Sequence, residues 1–480
     1  MTQIPILSVL IFSPAFAALS LYVLPFFSPS KDESGEKARY FASFASLLVF
    51  ILSLFMLTSF KTDVSTMQFE EYAEWIPEFG ITYSLGVDGI SLFLILLTTF
   101  LMPIVLFSSH SIKAMRKGYL ASMLLLQTAM TGTLVALDLF LFYVFWELML
   151  APMYFIIGIW GGSGRFYATL KFVLYTVFGS VLMLVAVLYV VSVYYDQNQA
   201  ISFNLETLIR ATHFTLKEEL WLFAAFVLAF AIKIPLFPLH TWLPDAHVEA
   251  PTGGSVILAG VLLKMGLYGL IRFAWPLFPM ASRICAFYIG VLAVIGVIYG
   301  ALVAWAQADM KKLVAYSSVS HLGYCVLGFV AGGLSSISGS IYQMLNHGIS
   351  TGALFLIVGV LYDRKHTRMI SDYSGLASKV PVFAFFFLVF TLSSIALPLT
   401  NGFVGEFLIL SGAFDIYPWL TGIALFGVIF SAVYMLTLYM KTMYGELNED
   451  KNGDLKDLTR KEVFTFVPLL LLVFFSRCRR

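Results

Sequence analysis

The chain has 480 residues, of which 60% are hydrophobic and 12% charged, and its net charge is +1. A soluble domain carries about 25% charged residues, so this chain lacks the polar surface to coat a water-facing globule, and its near-neutral charge gives no reason to expect a nucleic-acid partner. The three cysteines (Cys285, Cys325 and Cys478) are widely spaced and too few for a four-cysteine iron–sulfur cluster, and no haem, phosphate-loop or dinucleotide-turn motif occurs.

Apolar runs fall at 4–27, 39–60, 86–109, 117–137, 139–160, 166–194, 219–239, 252–273, 284–306, 311–331, 336–361, 380–411, 419–440 and 462–476. Most are near the length a helix needs to cross about 30 Å of hydrocarbon. Barrel strands would alternate apolar and polar residues, whereas these runs are apolar throughout. Helices satisfy every backbone group within their own segment. The pattern predicts an all-α integral membrane protein of about fourteen transmembrane helices in one continuous domain. Residues 1–5 contain no lysine or arginine, so the first run reads as a retained helix rather than a signal peptide.

Taken in chain order, the loops alternate in positive charge. Lys31, Lys37 and Arg39, then Lys113, Arg116 and Lys117, Arg165, Lys311 and Lys312, Arg364 to Lys379, and Lys441 to Lys461 fall on one side. The other side holds Lys61, Arg210, Lys217, Arg272 and Arg283 before the tail. Positive loops stay inside, so the N-terminus is predicted outside. The acidic loop 61–80 weighs little in this rule.

Two spans read as broken. Pro235 and Pro238 follow Lys233 at the end of the seventh, and Pro398 to Gly402 interrupts the twelfth. Proline removes an amide donor and clashes with the preceding turn, which a bilayer tolerates only where protein or water satisfies the freed groups. Breaks five spans apart suggest two five-helix repeats of inverted topology. These would cover 117–273 and 284–440, after N-terminal helices at 1–116 and before a C-terminal helix at 441–480.

Ionisable residues inside the runs carry the functional reading, because intramembrane charges are costly. They are Glu147, Lys171, Lys233, Lys264, His321, His347 and Glu406. The bland reading of any one is a structural ion pair, a snorkelling side chain or a hydrogen-bonded packing histidine. Seven along one chain point instead to a proton path. A buried lysine exchanges protons when its partner changes, and histidine titrates in the physiological range. His240, Asp245, His247 and Glu249 crowd one short loop without the H-E-x-x-H spacing of a metal site. That loop reads as a wet proton inlet near the inner surface.

Phe145-Trp-Glu-Leu-Met-Leu-Ala-Pro152 and Lys233-Ile-Pro-Leu-Phe-Pro-Leu-His240 resemble antiporter-like membrane subunits of respiratory complex I, the NADH:quinone oxidoreductase. So do Thr241 to Thr252, Leu263-Lys-Met-Gly266, Ser317 to Gly323 and Asn346-His-Gly348. The resemblance spans nearly the whole chain and is shared with Mrp-type sodium/proton antiporters. It implies fourteen helices with two inverted repeats, each holding a broken helix. By position, Glu147 and Lys233 look like the pair of a first half-channel and Lys264 like a central relay. His321, His347 and Glu406 look like a second half-channel, and His240 like an inner-side pathway residue. The implied role is proton translocation across an inner membrane beside other membrane subunits. This chain would hold no cofactor; flavin and iron–sulfur clusters are expected in partners. Competing readings are an Mrp antiporter subunit, a related membrane-bound hydrogenase subunit, or a structural membrane-arm subunit. The end, Phe474 to Arg480, departs from the family pattern, and its three arginines oppose the charge bias. It reads as truncated or altered.

Overall fold

The computed structural model describes residues 5–27 and 35–475, apart from the side chains of Pro25 and Phe475. Lys31, Ser476 and the tail residues Arg477, Cys478, Arg479 and Arg480 lie outside the described residues. In chain order come α1 (Ile6–Val23) and α2 (Glu36–Ser59), a hairpin of β1 (Gln68–Ile76) and β2 (Ile81–Val87), then α3 (Gly89–Ser108) and α4 (Arg116–Val135). Next are α5 (Leu139–Leu148), α6 (Leu150–Trp160), α7 (Arg165–Asn198), the short α8 (Leu205–Ala211) and α9 (Leu216–Lys233). Past a first break lie α10 (Trp242–Glu249), α11 (Thr252–Ile257), α12 (Leu263–Gly269), α13 (Trp275–Leu277) and α14 (Pro279–Trp305). Then follow α15 (Met310–Ala331), α16 (Leu334–Lys365), α17 (Leu376–Lys379), α18 (Pro381–Ser394), α19 (Asn401–Phe414), α20 (Pro418–Met443), α21 (Glu449–Asn452) and α22 (Arg460–Phe475).

Among the described residues, eleven helices are long and apolar enough to cross a membrane, counting α5–α6 and α11–α13 as one span each. The runs at 219–239, 380–411 and 462–476 correspond to helices that are shorter or more charged. The 18 residues of α9 include Lys217, Glu218, Glu219 and Lys233. The run 380–411 divides into two helices of 14 residues each, and α22 has 16.

The described chain is not wholly helical. Part of the acidic loop forms an antiparallel hairpin with irregular register, turned by Pro77–Phe79 and by Gly80 at φ 63°. One of its acids has a structural task. The Glu71 carboxylate accepts from Leu7 N at 2.6 Å and Ser8 N at 3.1 Å, placing negative charge at the first turn of α1, where the free amides favour it.

Carboxylates fix several helix starts. Asp88 accepts from Ile90 N and Ser91 N at α3, with Ser91 completing a capping box. Asp138 caps α5 and also accepts from Thr82 N and its hydroxyl. Asp309 caps α15.

The residues pack as two compact units. One comprises Met1–Lys233 and Val261–Cys285; the other comprises Ile234–Gly260 and Ala286–Arg480. In the first, α4 packs on α1, α3, α5 and α6, and α9 packs on α7 and α12. In the second, α16 is the central helix, packed by α11, α15, α18, α19 and α22. Segment 234–260, which the sequence reading assigns to the first repeat, packs within the second unit.

Candidate functional site

In the first unit, Glu147 occupies the last turn of α5. Pro152 has no amide to give to the Leu148 carbonyl, and the helix is interrupted at Met149, directly after Glu147. Glu147 is half-buried. Lys233 is buried and is the last residue of α9, because Pro235 and Pro238 prevent the helix from continuing. Its ammonium lies 5.1 Å from the centroid of the Trp146 ring and 5.9 Å from that of Phe172, so ring faces replace part of its hydration. The Glu147 carboxylate acts on it electrostatically. Lys171 is half-buried on α7 with its ammonium 5.5 Å from the Tyr167 ring.

Lys264 is fully buried in α12. Two π-helical turns, Leu258–Leu262 and Leu270–Ala274, flank it, an irregularity the sequence reading did not foresee. Such turns insert an extra residue and frequently mark functional sites. Arg272, assigned above to an outside loop, instead sits in the second π turn and is mostly buried. Its guanidinium is 2.5 Å from Asp88 Oδ2 and donates at 3.3 Å to the Tyr268 hydroxyl, which donates to Leu134 O. The N-cap aspartate of α3 gives the arginine a partner, which is why it leaves the water-facing loop.

In the second unit the break lies between α18 and α19. Ala396 and Leu399 adopt left-handed φ of 56° and 81°, uncommon for side-chain-bearing residues. A Cβ on Gly402 would lie 2.3 Å from Ser393 O, so only glycine fits there. Around this break the structure brings together three of the predicted residues. His321 Nδ1 is 3.0 Å from Glu406 Oε1, and Gln343 Nε2 donates to the same oxygen at 3.1 Å. The His321 and His347 rings are 5.7 Å apart. Ser394 Oγ is 3.4 Å from His321 Nε2. All of these side chains are buried. Gly405 permits the close approach, since a Cβ there would lie 3.0 Å from the Gln343 Cα.

A ring of polar groups completes the cluster. Asn346 donates to Asn401 O at 2.7 Å, Ser393 donates to Asn401 Oδ1 at 2.6 Å, and the Ser350 and Ser393 hydroxyls are 2.6 Å apart. Asn346, Ser350 and Ser393, with both histidines, line a cavity of about 10 Å³, roughly the space one water requires. The sequence reading missed Gln343, Ser350, Ser393 and Ser394. Gln343 stands one helical turn before His347, and the paired serines precede the broken turn, so their spacing was a usable signal.

Segment 234–249 differs from the wet loop expected. His240 and His247 are both buried, and they lie against different rings. His240 sits 5.0 Å from the Tyr299 ring and 5.8 Å from that of Phe237; His247 stacks on Phe355 at 4.7 Å. Helix α10 packs on α15, and its last carbonyls are held by cations. Lys311 Nζ donates to Ala250 O at 2.5 Å, and Arg368 donates to Val248 O, matching the negative end of the helix. Among the described residues no group of three or more His, Cys, Asp or Glu side chains is placed to hold a metal ion.

The family model for the NADH:quinone oxidoreductase/Mrp antiporter transmembrane region matches residues 136–431. NADH-quinone oxidoreductase subunit M of Rickettsia prowazekii (strain Madrid E) is 45% identical over 476 residues, covering 99% of this chain and 95% of that protein. Subunit M of Rhodobacter capsulatus is 45% identical over 473 residues, covering 97% and 92%. Chain 4 of the NADH-ubiquinone oxidoreductase of Marchantia polymorpha is 41% identical over 467 residues, also covering 97% and 92%. Among solved structures, a chain of respiratory complex I from Thermus thermophilus superposes with a TM-score of 0.87 at 33% identity, covering 98% of this chain and 94% of that one. The Mrp complex from Dietzia sp. DQ12-45-1b shares the fold, with a TM-score of 0.81 at 22% identity, covering 98% and 49%. With the family model covering more than half of it and relatives matched along almost their whole length, the chain belongs to the NADH:quinone oxidoreductase/Mrp antiporter membrane family, on the branch of subunit M and chain 4.

Proposed function

We propose that this chain is the proton-translocating membrane subunit of an NADH:quinone oxidoreductase, in which flavin and iron–sulfur chemistry belongs to partner subunits. The observation that carries the reading is the buried His321–Glu406 pair at 3.0 Å beside the broken span. A buried carboxylate and imidazole in contact hold one proton between them at little cost. Such a pair is expensive to place in a bilayer without a task.

In this reading each unit contributes a set of proton-holding groups. A carboxylate near a buried amine favours the ammonium, and its withdrawal favours the free amine. A change in a neighbouring subunit that moves Glu147 therefore loads or unloads Lys233, with Lys264 as the next amine. In the second set, His321 donates from Nδ1 to Glu406, which leaves Nε2 to accept a proton from the Ser394 side. The imidazolium so formed is paired with Glu406 until it passes the proton on. His347 and the polar ring stand within one water of this exchange, and His240 serves as an inner-side pathway residue. Lysine and arginine placement puts the N-terminus outside and the loops at 113–117 and 364–379 inside the inner membrane. In the same reading, the sequence segments 117–273 and 284–440 are the two inverted repeats.

The test is purification through an affinity tag on this chain from native membranes. The expected preparation contains flavin- and iron–sulfur-bearing subunits and acidifies vesicles when NADH is added. A preparation lacking those subunits that instead exchanges sodium for protons would overturn the assignment in favour of an antiporter complex.

A further inference from the structure

Away from the buried clusters, the second unit carries a surface cavity of about 440 Å³ at the ends of α14 and α20. That volume falls within the roughly 300–1,000 Å³ of small-molecule sites. Its lining includes Trp305, Gln307, Ser371, Tyr373 and Lys441. Two backbone bonds, Met310 N to Arg368 O and Ile370 N to Ala308 O, tie the two loops that form its floor. The cavity therefore sits where spans leave the bilayer, at the end of the unit that carries Lys312, Arg364, Lys365 and Lys379.

The charges around it are unevenly spent. Asp309 caps α15 and lies 3.3 Å from the Arg368 guanidinium. Asp372 accepts from the Thr367 hydroxyl at 2.6 Å and from Lys451 at 3.0 Å. Lys441 is exposed and has no carboxylate within ion-pair distance among the described residues. The site thus offers an uncompensated cation, the Ser371 hydroxyl and the second N–H of the Gln307 amide, whose nitrogen also donates to Val303 O at 2.9 Å. Its aromatic members divide the work. Tyr373 is buried, with its hydroxyl donating to Thr367 O, and forms a wall. Trp305 is 50% exposed, as suits an indole at the boundary between hydrocarbon and headgroups. Towards the bilayer, Leu302 lies one turn before Trp305, and Met440 precedes Lys441. Both are exposed, giving apolar lanes that lead away from the polar cavity.

We infer that this cavity is a binding site for the phosphate headgroup of an anionic membrane phospholipid, with Lys441 facing the phosphate and the acyl chains running along the Leu302 and Met440 faces. A cation with hydrogen-bond donors beside it fits a phosphate. The adjoining apolar lanes favour a lipid over a free anion, because a free anion has no use for them. The membrane-boundary position fits the same choice.

The experiment uses the whole complex reconstituted into phosphatidylcholine vesicles doped with a photoactivatable phosphatidylglycerol, with crosslinked peptides read by mass spectrometry. Crosslinks are expected at 302–308 and 440–444. Removing one lysine near an anionic lipid is expected to lower its occupancy about fivefold, so Lys441→Gln should reduce these crosslinks by that factor, and Lys441→Gln with Trp305→Leu by more. Lys441→Arg keeps the charge and should keep the crosslinks. NADH-driven pumping, which does not use these residues, reports that each variant has assembled. Crosslinking that is absent from the wild-type complex, or equal in wild type and Lys441→Gln, would overturn the site. Displacement of the label by millimolar inorganic phosphate would reassign it to a small anion.

Discussion

Replacing Glu406 with glutamine separates a proton path from a structural ion pair. Oxygen Oε1 of Glu406 receives His321 Nδ1 at 3.0 Å and Gln343 Nε2 at 3.1 Å. Glutamine keeps the shape and an acceptor oxygen but has neither charge nor a titrating proton. A hydrogen bond to a charged group contributes about 1.5–3 kcal/mol, and a neutral one about 0.5–1.5 kcal/mol. The His321–residue 406 contact therefore loses about 1–1.5 kcal/mol, which lowers the population of the paired state by about 5- to 13-fold. Pumping that runs through this state should fall by at least that factor. Glu406→Asp shortens the side chain by about 1.5 Å but still titrates, and one bridging water can restore contact at a cost of about 0–2 kcal/mol. The assay is NADH-driven acidification of inverted vesicles at matched content of assembled complex, with NADH oxidation measured in parallel. Glutamine should impair pumping much more than aspartate. Equal pumping by Glu406→Gln and wild type, or a worse result for aspartate than for glutamine, would refute the relay and leave a fixed hydrogen bond as the role of Glu406.

Three further outcomes are expected. Glu147→Ala removes the carboxylate acting on Lys233, so vesicle acidification should drop sharply while the complex still assembles; normal pumping would exclude this pair from the mechanism. Cysteines placed at Lys113 and Lys379 should react with a membrane-impermeant maleimide in inverted vesicles only, and labelling confined to right-side-out vesicles would reverse the orientation. Arg272→Met strands the Asp88 carboxylate, and breaking a buried pair costs about 3–5 kcal/mol. Because both partners keep some exposure, the lower end applies. The yield and thermal stability of the assembled complex should fall, and adding Asp88→Asn should recover part of the loss; an unchanged thermal midpoint for Arg272→Met would show the pair to be dispensable.

Span positions were legible in the sequence because a bilayer demands runs of apolar residues, and such runs need no tertiary information to be seen. The two breaks were legible for a similar reason: proline lacks an amide wherever it stands, so Pro235, Pro238 and Pro398 mark freed backbone groups before any packing is known. Intramembrane charge singled out Glu147, Lys233, Lys264 and Glu406, since the cost of burying charge is also a local property. Partnership was decided by tertiary structure. Nothing in the spacing says that Gln343 and His321 converge on one oxygen of Glu406, because residues 63 and 85 positions apart in the chain meet only when α16, α15 and α19 pack. The same holds for Arg272, read as a loop residue until the α3 N-cap aspartate came within 2.5 Å of it. It holds too for His240 and His247, whose polar neighbours suggested a wet loop. There α10 turned polar sequence inward, because Lys311 and Arg368 hold the carbonyls at its end and aromatic rings cover both imidazoles. Which ionisable residues fall within apolar runs follows from the sequence; which of them meet depends on contacts that only the folded chain creates.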